Sequence, residues 1–418
     1  MECSECGFAK TFDIREASRN ETRDCVACGG EETFGPGRYW LRPPGFAHPV
    51  DVEEVTSPDD MPETSYATRA KLTMGTPPEE AGWSPVNDHV RVLSARQHLL
   101  VSNTGPKKEG YTYCTKCGRV ESSTDPSSKL IGPHRKPYPD ADDKQICDGI
   151  SPTRHIVLGT DFITDIALFS MRVAAPLKLK PGHSSTVVAL RTVSEALAKA
   201  ACDLLEIEPG ELMAEFRPAL TPGGMSGLEA EIFLYDTLPG GAGFSTQLAG
   251  QGLELFQRAL HLMKTCPENC DASCYRCLRS FKNKFEHSLL DRHVGAELLG
   301  YLLTGEQPGF NADRLRTSTT LLYNDLKRQT ADGAEFEPDV PVNIGKGLVV
   351  APIFAKAGTS RNFIIALSGP LTTDHPADPA IADFRNAGGE IQVIVENELI
   401  VRGNLPAATR NVLQRLGL

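Results

Sequence analysis

Several things that a motor or a membrane protein needs are missing from this chain. No GxxxxGK[ST] loop and no DExH-type acidic box occurs in its 418 residues, so it lacks both the lysine that reaches terminal phosphates and the carboxylates that hold magnesium beside them. No intrinsic ATPase is expected, and no catalytic residue is assigned. No apolar run approaches the roughly 18 residues that cross a bilayer, and no charged-then-apolar leader follows Met1. The expected location is the cytoplasm, with no membrane partner. Positive charge is short: 43 Lys and Arg against 54 Asp and Glu leave a formal net charge of −11. That balance excludes a surface dominated by phosphate contacts, which need clustered cations. Any nucleic-acid contact is then local or supplied by a partner. No repeat with a period of roughly 20 to 50 residues stands out, which excludes a solenoid.

Cysteine, by contrast, is present with metal-ligand spacing. Of twelve cysteines, eleven fall into three groups. CxxC pairs in a reducing compartment read as metal sites rather than disulfides, and zinc is the default ion. Cys3 and Cys6 face Cys25 and Cys28 across an eighteen-residue spacer, which is a zinc-ribbon pattern. Four thiolates close the tetrahedron and leave no water to activate, so this ion is structural. Cys114 and Cys117 need two further ligands; Cys147 and His134 are the nearest of the right type, with His155 in reserve. Cys266, Cys270, Cys274 and Cys277 are close enough to share one ion or one cluster, and spacing alone leaves zinc and iron–sulfur both open. Three zinc ions are expected in all. Cys202 stands apart inside a helical pattern and reads as a small buried hydrophobe.

The 30 prolines and 37 glycines point to long ordered loops. The expected fold is α+β and multidomain: a zinc ribbon over residues 1–37, a loop-rich β region with the second knuckle over 38–180, a zinc-stapled α+β body over 181–308 and a small α/β domain over 309–418. Short β pieces are expected at His89 to Leu93, Leu99 to Ser102 and His155 to Leu158, and a buried strand at Ile163 to Val173. Ser184 and Ser185 are placed to cap a helix with Val187, Leu190, Val193, Leu197 and Leu204 at helical spacing. Glu229 to Tyr235 reads as a strand. The glycine turn at Pro239 to Gly243 then leads into one helix carrying Leu248, Leu255, Phe256, Leu260 and Met263. The turn resembles a phosphate cradle but lacks the lysine and hydroxyl of a nucleotide loop, so a tight strand-to-helix turn is expected. A further helix is expected from His287 to Leu303. Beyond Asn311, β runs at Leu348 to Ile353, Phe363 to Leu367 and Ile391 to Val395 alternate with helical stretches at Leu315 to Thr330, Pro379 to Asn386 and Ala407 to Leu416.

Around the third knot, Arg276, Arg279, Lys282 and Lys284 interleave with Tyr275, Phe281 and Phe285, a mixture that suits a phosphate backbone with bases stacked on rings. A solvated rim around an apolar knot is the bland alternative. His287 and Asp291, four apart in a helical pattern, read as a bridge or a support for the knot rather than as acid–base catalysts. Asp339, Glu390 and Glu396 near β runs invite comparison with metal-dependent nucleases, but no carboxylate-x-lysine completes such a site.

The stretch LYDTLPGGAGFSTQL, a helix, and CPENCDASCYRCLRSFKNKFEHSLLDRHVGAELL resembles the C-terminal zinc-binding module of MrfA-like DNA helicases, which also occurs in DrmB, the helicase-associated subunit of DISARM antiphage systems. The matching positions are Tyr235, Asp236, Pro239, Gly240, Gly241, Cys277, Leu278, Asn283, His287 and Leu290 to Arg292. The likeness extends upstream through PPGFAHP at Pro43, the YCTKCG knuckle and LGTDFITD at Leu158, in a DrmB-like arrangement over Cys3 to Leu303. It implies zinc at the third knot and, because the motor is missing, a superfamily 2 helicase as partner. The knot opens with CxxxC where many relatives place these cysteines closer. The implied function is a noncatalytic zinc-binding subunit that helps a helicase engage DNA in antiphage defence or repair. A metal-dependent nuclease and a stand-alone zinc-ribbon DNA-binding regulator are the alternatives.

Overall fold

The computed structural model describes residues 1–43, 69–72, 82–123, 130–137, 145–149, 152–219, 227–330, 333–343, 347–358, 361–387 and 391–418. The architecture is mixed α+β, with a small cysteine-centred N-terminal ribbon, a large sheet-and-helix body and a C-terminal α/β unit.

The body is built on β1 (Val90–Asn103), β2 (Pro152–Arg172), β3 (Leu212–Pro218) and β4 (Glu229–Asp236), in the order β3-β4-β2-β1 and antiparallel throughout. Period-2 alternation sends two sets of side chains to opposite faces. Val90, Val92, Phe169, Met171, Ile232 and Leu234 join the main core, while Leu99, Ile166, Leu168, Phe233 and Tyr235 form a second cluster behind the sheet. β4 is covered on both faces and is buried along its whole length.

Sequence reading placed only short pieces along β1. The strand is continuous because the polar residues between those pieces lie on a solvent face and are paired across to β2. Arg96 sits opposite Asp165, with Nε 3.0 Å from Oδ1, and His98 reaches Asp161 at 2.9 Å. The sheet also crosses the expected division at residue 180, since β2 lies before it and β3 and β4 after it.

Three helices cover the main-core face: α1 (Ser184–Leu205), α3 (Gly252–Lys264) and α4 (Arg292–Thr304), with short α2 (Phe244–Ala249) between the sheet and α3. Three local expectations are corrected. His183, not a serine, occupies the N-cap of α1 and makes no side-chain cap bond. The helix after the glycine turn is two helices, broken at Gly250 and Gln251. The helix expected from His287 is a 3₁₀ turn over Lys284–Leu289 followed by α4, because Asp291 is extended and accepts from the backbone N–H groups of His293 and Val294.

The C-terminal unit runs α5 (Ala312–Gln329), β5 (Ala334–Asn343), β6 (Leu348–Ala357), β7 (Arg361–Ser368), α6 (Pro379–Ala387), β8 (Gln392–Asn397), α7 (Glu398–Gly403) and α8 (Leu405–Leu416). Its sheet order is β5-β6-β7-β8, and only β7 and β8 are parallel. Sequence reading missed β5, whose Pro338 and Pro341 suit only an edge strand. One core lies between this sheet and α5, α7 and α8, and another against α6. Among the described residues no helix is long and apolar enough to cross a membrane.

Candidate metal centres and nucleic-acid interface

Each cysteine group closes in space. Cys3, Cys6, Cys25 and Cys28 form the first cluster, Cys114, Cys117, His134 and Cys147 the second, and Cys266, Cys270, Cys274 and Cys277 the third, with the ligand atoms of each within 4.8 Å of one another. In the third, the Sγ–Sγ separations Cys266–Cys270, Cys266–Cys274, Cys270–Cys277 and Cys274–Cys277 are 3.7, 3.6, 3.7 and 3.7 Å. Disulfides need about 2.05 Å. Four sulfurs around one ion at Zn–S about 2.3 Å stand about 3.8 Å apart. A multi-iron cluster would hold its sulfurs wider, because it fills the centre itself. The three clusters fit three zinc ions.

At the second cluster the fourth ligand is decided by the fold. His134 lies opposite Cys147 in a two-stranded ladder, its Nε2 is 3.2 Å from Cys117 Sγ, and its Nδ1 meets Gly132 O at 2.9 Å. That carbonyl bond sets the tautomer and leaves Nε2 as the donor atom. His155 instead places Nδ1 2.8 Å from Glu109 O and belongs to no cluster.

In each cluster the first cysteine, though raised by burial, is drawn down by groups that favour its thiolate. Cys3 falls to about 7 through Thr33 and the backbone of Cys6 and Glu5, and Cys114 to about 7 through the backbone of Cys117 and Lys116. Cys266 falls to about 6 through the backbone of Cys270 and Glu268. Cys28 and Cys117 are pushed up to about 11, chiefly by burial. Each cluster thus offers one cysteine inclined to its thiolate, and a metal binding there displaces protons from thiols held up by burial, Cys28 and Cys117 among them.

The third knot is fastened to the body from two sides. Arg292 donates from Nε to Cys270 O, from Nη1 to Met263 O and from Nη2 to Asn269 Oδ1, while Lys199 of α1 donates to Cys277 O. Leu290 beside it is buried, so the LDR run divides its work into core packing, helix capping and a clamp on knot carbonyls.

Downstream of the knot the chain alternates outward and inward residues. Phe281 and Phe285 are 77 % and 51 % exposed, and Tyr275 on the knot itself is 66 % exposed. Lys284 Nζ lies 4.4 Å from the Phe281 ring centre and 5.0 Å from that of Phe285. Tyr275 meets His287 edge-on at 5.4 Å. Between these, Asn283 and Glu286 point in: Asn283 Nδ2 donates to Glu195 at 2.8 Å and to Leu278 O, and Glu286 lies 3.4 Å from buried Arg191, which also pairs with Glu215 at 2.5 Å. With Glu286, Arg191 and Glu195 hold the ridge; these two were missed in the sequence, where nothing links them to a knot that begins at Cys266.

Of the five residues expected to meet nucleic acid, Tyr275, Arg276, Lys282 and Lys284 are exposed, and of these Lys282 is tied down. Arg279 donates instead to Ser273 Oγ at 3.0 Å and Lys282 to Pro209 O at 3.2 Å, which makes them braces of the loop.

The glycine turn holds its own anion. Asp236, fully buried, accepts from the N–H groups of Ala242, Phe244 and Ser245 and from the Ser245 hydroxyl, at 2.5 to 3.1 Å. Three backbone donors at the start of α2 are thereby taken, as expected of a structural turn. Asp291 is occupied too, in the cap and with Arg314 and Arg402, and is not paired with His287. Asp339 on β5 and Glu396 on β8 belong to opposite edge strands; three strand spacings separate them by about 14 Å, too far to share one ion. Glu390 and the PPGFAHP residues after Pro43 lie outside the described residues.

Comparison with known proteins follows the same lines. Residues 193–278 match the MrfA Zn-binding domain, which places all four cysteines of the third knot in that domain. Over its whole length the chain is 28 % identical to Druantia protein DruE of Escherichia coli (strain UMEA 4076-1), of which it spans 22 %. It is similar to crystal structures of the DUF1998 helicase MrfA bound to DNA (14 % identity, TM-score 0.30, 57 % of this chain and 25 % of that one) and to DNA and AMPPNP (14 %, 0.24, 49 % and 23 %).

Proposed function

We propose that this chain is a noncatalytic, zinc-stapled module that works beside a superfamily 2 helicase motor and gives it a surface for DNA, in antiphage defence or DNA repair. The observation that carries the reading is the exposed ridge Tyr275, Phe281, Lys284 and Phe285, held rigid from beneath by Asn283, Glu286 and buried Arg191. Exposed rings with a cation between them suit stacked bases and a phosphate backbone. The match to the MrfA Zn-binding domain and the likeness to DruE support a motor as companion. A DrmB-like, DISARM-type arrangement is the finer form of the proposal. The proposed metals supply shape and no chemistry, so ATP hydrolysis belongs to the motor.

The test is fluorescence anisotropy of a labelled single-stranded oligonucleotide with the full chain, alone and with the helicase that copurifies from the native host. Replacing Phe281, Lys284 and Phe285 by Ala should weaken binding roughly 5- to 150-fold for each base that loses its stacking partner, at about 1 to 3 kcal/mol per base. A chain that binds no DNA, brings down no helicase and leaves the motor's ATPase unchanged would end this reading.

A further inference from the structure

The N-terminal ribbon does not stand free. It leans on the body sheet, where Trp40 and Leu41 pair in parallel with Val157 and Leu158 of β2 and Arg19 donates to Arg154 O at 2.8 Å. Between ribbon and sheet lies a cavity of about 490 Å³, within the range of small-ligand sites. Tyr39, Trp40 and Phe12 line it with rings, and Lys10, Arg19, Arg38 and Lys108 line it with positive charge. Against four cations stands one carboxylate among the described lining residues, Glu2, in a chain whose formal net charge is −11. Two cations already lie against rings: Arg19 is 5.8 Å from the centre of Tyr39 and Lys10 is 5.0 Å from that of Phe12.

A further observation points to a ligand. Ser102 of β1 lines the same cavity, is only 6 % exposed, and its hydroxyl has no hydrogen-bond partner among the described residues. Buried polar groups are costly unless paired, so an unpaired buried hydroxyl on a residue that lines the cavity is a group that a ligand atom reaching it would satisfy. Rings for a flat apolar face, cations for an anion and one buried hydroxyl for a polar edge together describe a nucleotide.

We infer that this cavity binds one nucleotide unit, the base against Tyr39 and Trp40 and the phosphate toward Arg19 and Lys108, either within an unstacked single strand or as a free mononucleotide. The inference rests on the nucleic-acid reading above and adds a second binding point to it, distant in sequence from the third knot. It is noncovalent, and the Cys3 cluster beside it serves only to shape the wall.

The full zinc-loaded chain is titrated with dT12, with the same strand in a duplex, and with thymidine monophosphate, reading anisotropy and tryptophan emission. Single-stranded dT12 should quench the emission saturably and the duplex should not. Competition by the monophosphate would identify the free nucleotide as a ligand; its failure to compete would assign the site to the strand. Trp40→Ala should weaken dT12 binding about tenfold or more, with Trp40→Tyr retaining most of it. Arg19 and Lys108 are both exposed; Arg19→Ala also removes the bond to Arg154 O, so the double variant is compared after its thermal transition has been matched to that of the parent. Replacing both by Ala should lower the slope of log affinity against log salt by about 0.7 for each phosphate that is no longer neutralised. If that pair changes neither affinity nor slope while the Phe281, Lys284 and Phe285 variant changes both, the cavity proposal is overturned and the ridge stands. If neither variant has an effect, both readings fall. Absence of quenching by both dT12 and the monophosphate also overturns the cavity proposal.

Discussion

Glu297 on α4 shows how one side chain can carry a pH dependence. Burial pushes its carboxyl up to about 8; Arg314 pulls it back, and the Asp291 and Glu398 charges push it up again. Between the ordinary carboxylate range and about 8 the folded chain therefore binds a proton that the unfolded chain has lost. Stability from this group is complete at acid pH and declines as pH rises through that window, with a slope of up to about 1.4 kcal/mol per pH unit. The Glu297→Gln variant should show a higher urea midpoint than the parent at pH 8 and little difference at pH 5. Equal midpoints for the two proteins at pH 8 would show that the carboxyl is not perturbed. Asp291, a few residues away, is shifted the other way: burial raises it, but Arg314 and Arg402 outweigh burial and hold it below the usual range.

The third knot is an element whose parts are inseparable. Cys266 and Cys277 belong to the same buried cluster as α1, α3 and α4, so the ion site and the main core share side chains. Its carbonyls are held by Arg292 and Lys199, and its exit leads directly into the ridge. Cys270→Ser should therefore lower the zinc content from three ions to two per chain, read by metal analysis. It should also broaden the thermal transition of the body and weaken oligonucleotide binding along with it. The ribbon cluster is a separate small core of Cys3, Phe8, Cys25 and Phe34, and Cys25→Ser should leave the body transition in place. Loss of a zinc at the third knot with the body transition and binding unchanged would contradict this coupling.

Across the whole molecule, one buried charge network ties the C-terminal unit to the body. Asp291 at the start of α4 takes Arg314 of α5 at 2.8 Å and Arg402 of α7 at 2.5 Å, and Glu398 bridges the same two guanidiniums at 3.2 and 2.8 Å. Leu371 joins the main core, and Lys178 N–H donates to its carbonyl. Removing one partner strands the others in a dry site, which costs about 3–5 kcal/mol. Asp291→Ala should lower stability by that order. It should also split one calorimetric transition into two, as the unit comes loose from the body. A single unchanged transition would show that apolar contacts alone join them.

How much of this was legible beforehand follows from the range of the forces involved. The metal groups were readable because CxxC spacing brings two thiolates onto one tight turn without help from distant sequence, and the elements of the C-terminal unit other than β5 and α7 because their periodicity is local. The role of Asp291 as an ion-pair hub was not, since it depends on Arg314 and Arg402 far along the chain, although its cap of α4 is local. Nor was the continuity of β1, whose polar middle is satisfied across the sheet by Asp161 and Asp165. The choice of His134 over His155 turned on which imidazole the fold swings toward Cys117. Sequence alone thus determined the chemistry available, sulfur, rings and cations at given spacings. Tertiary structure decided which of these groups meet, because burial and pairing depend on neighbours that the linear order keeps apart.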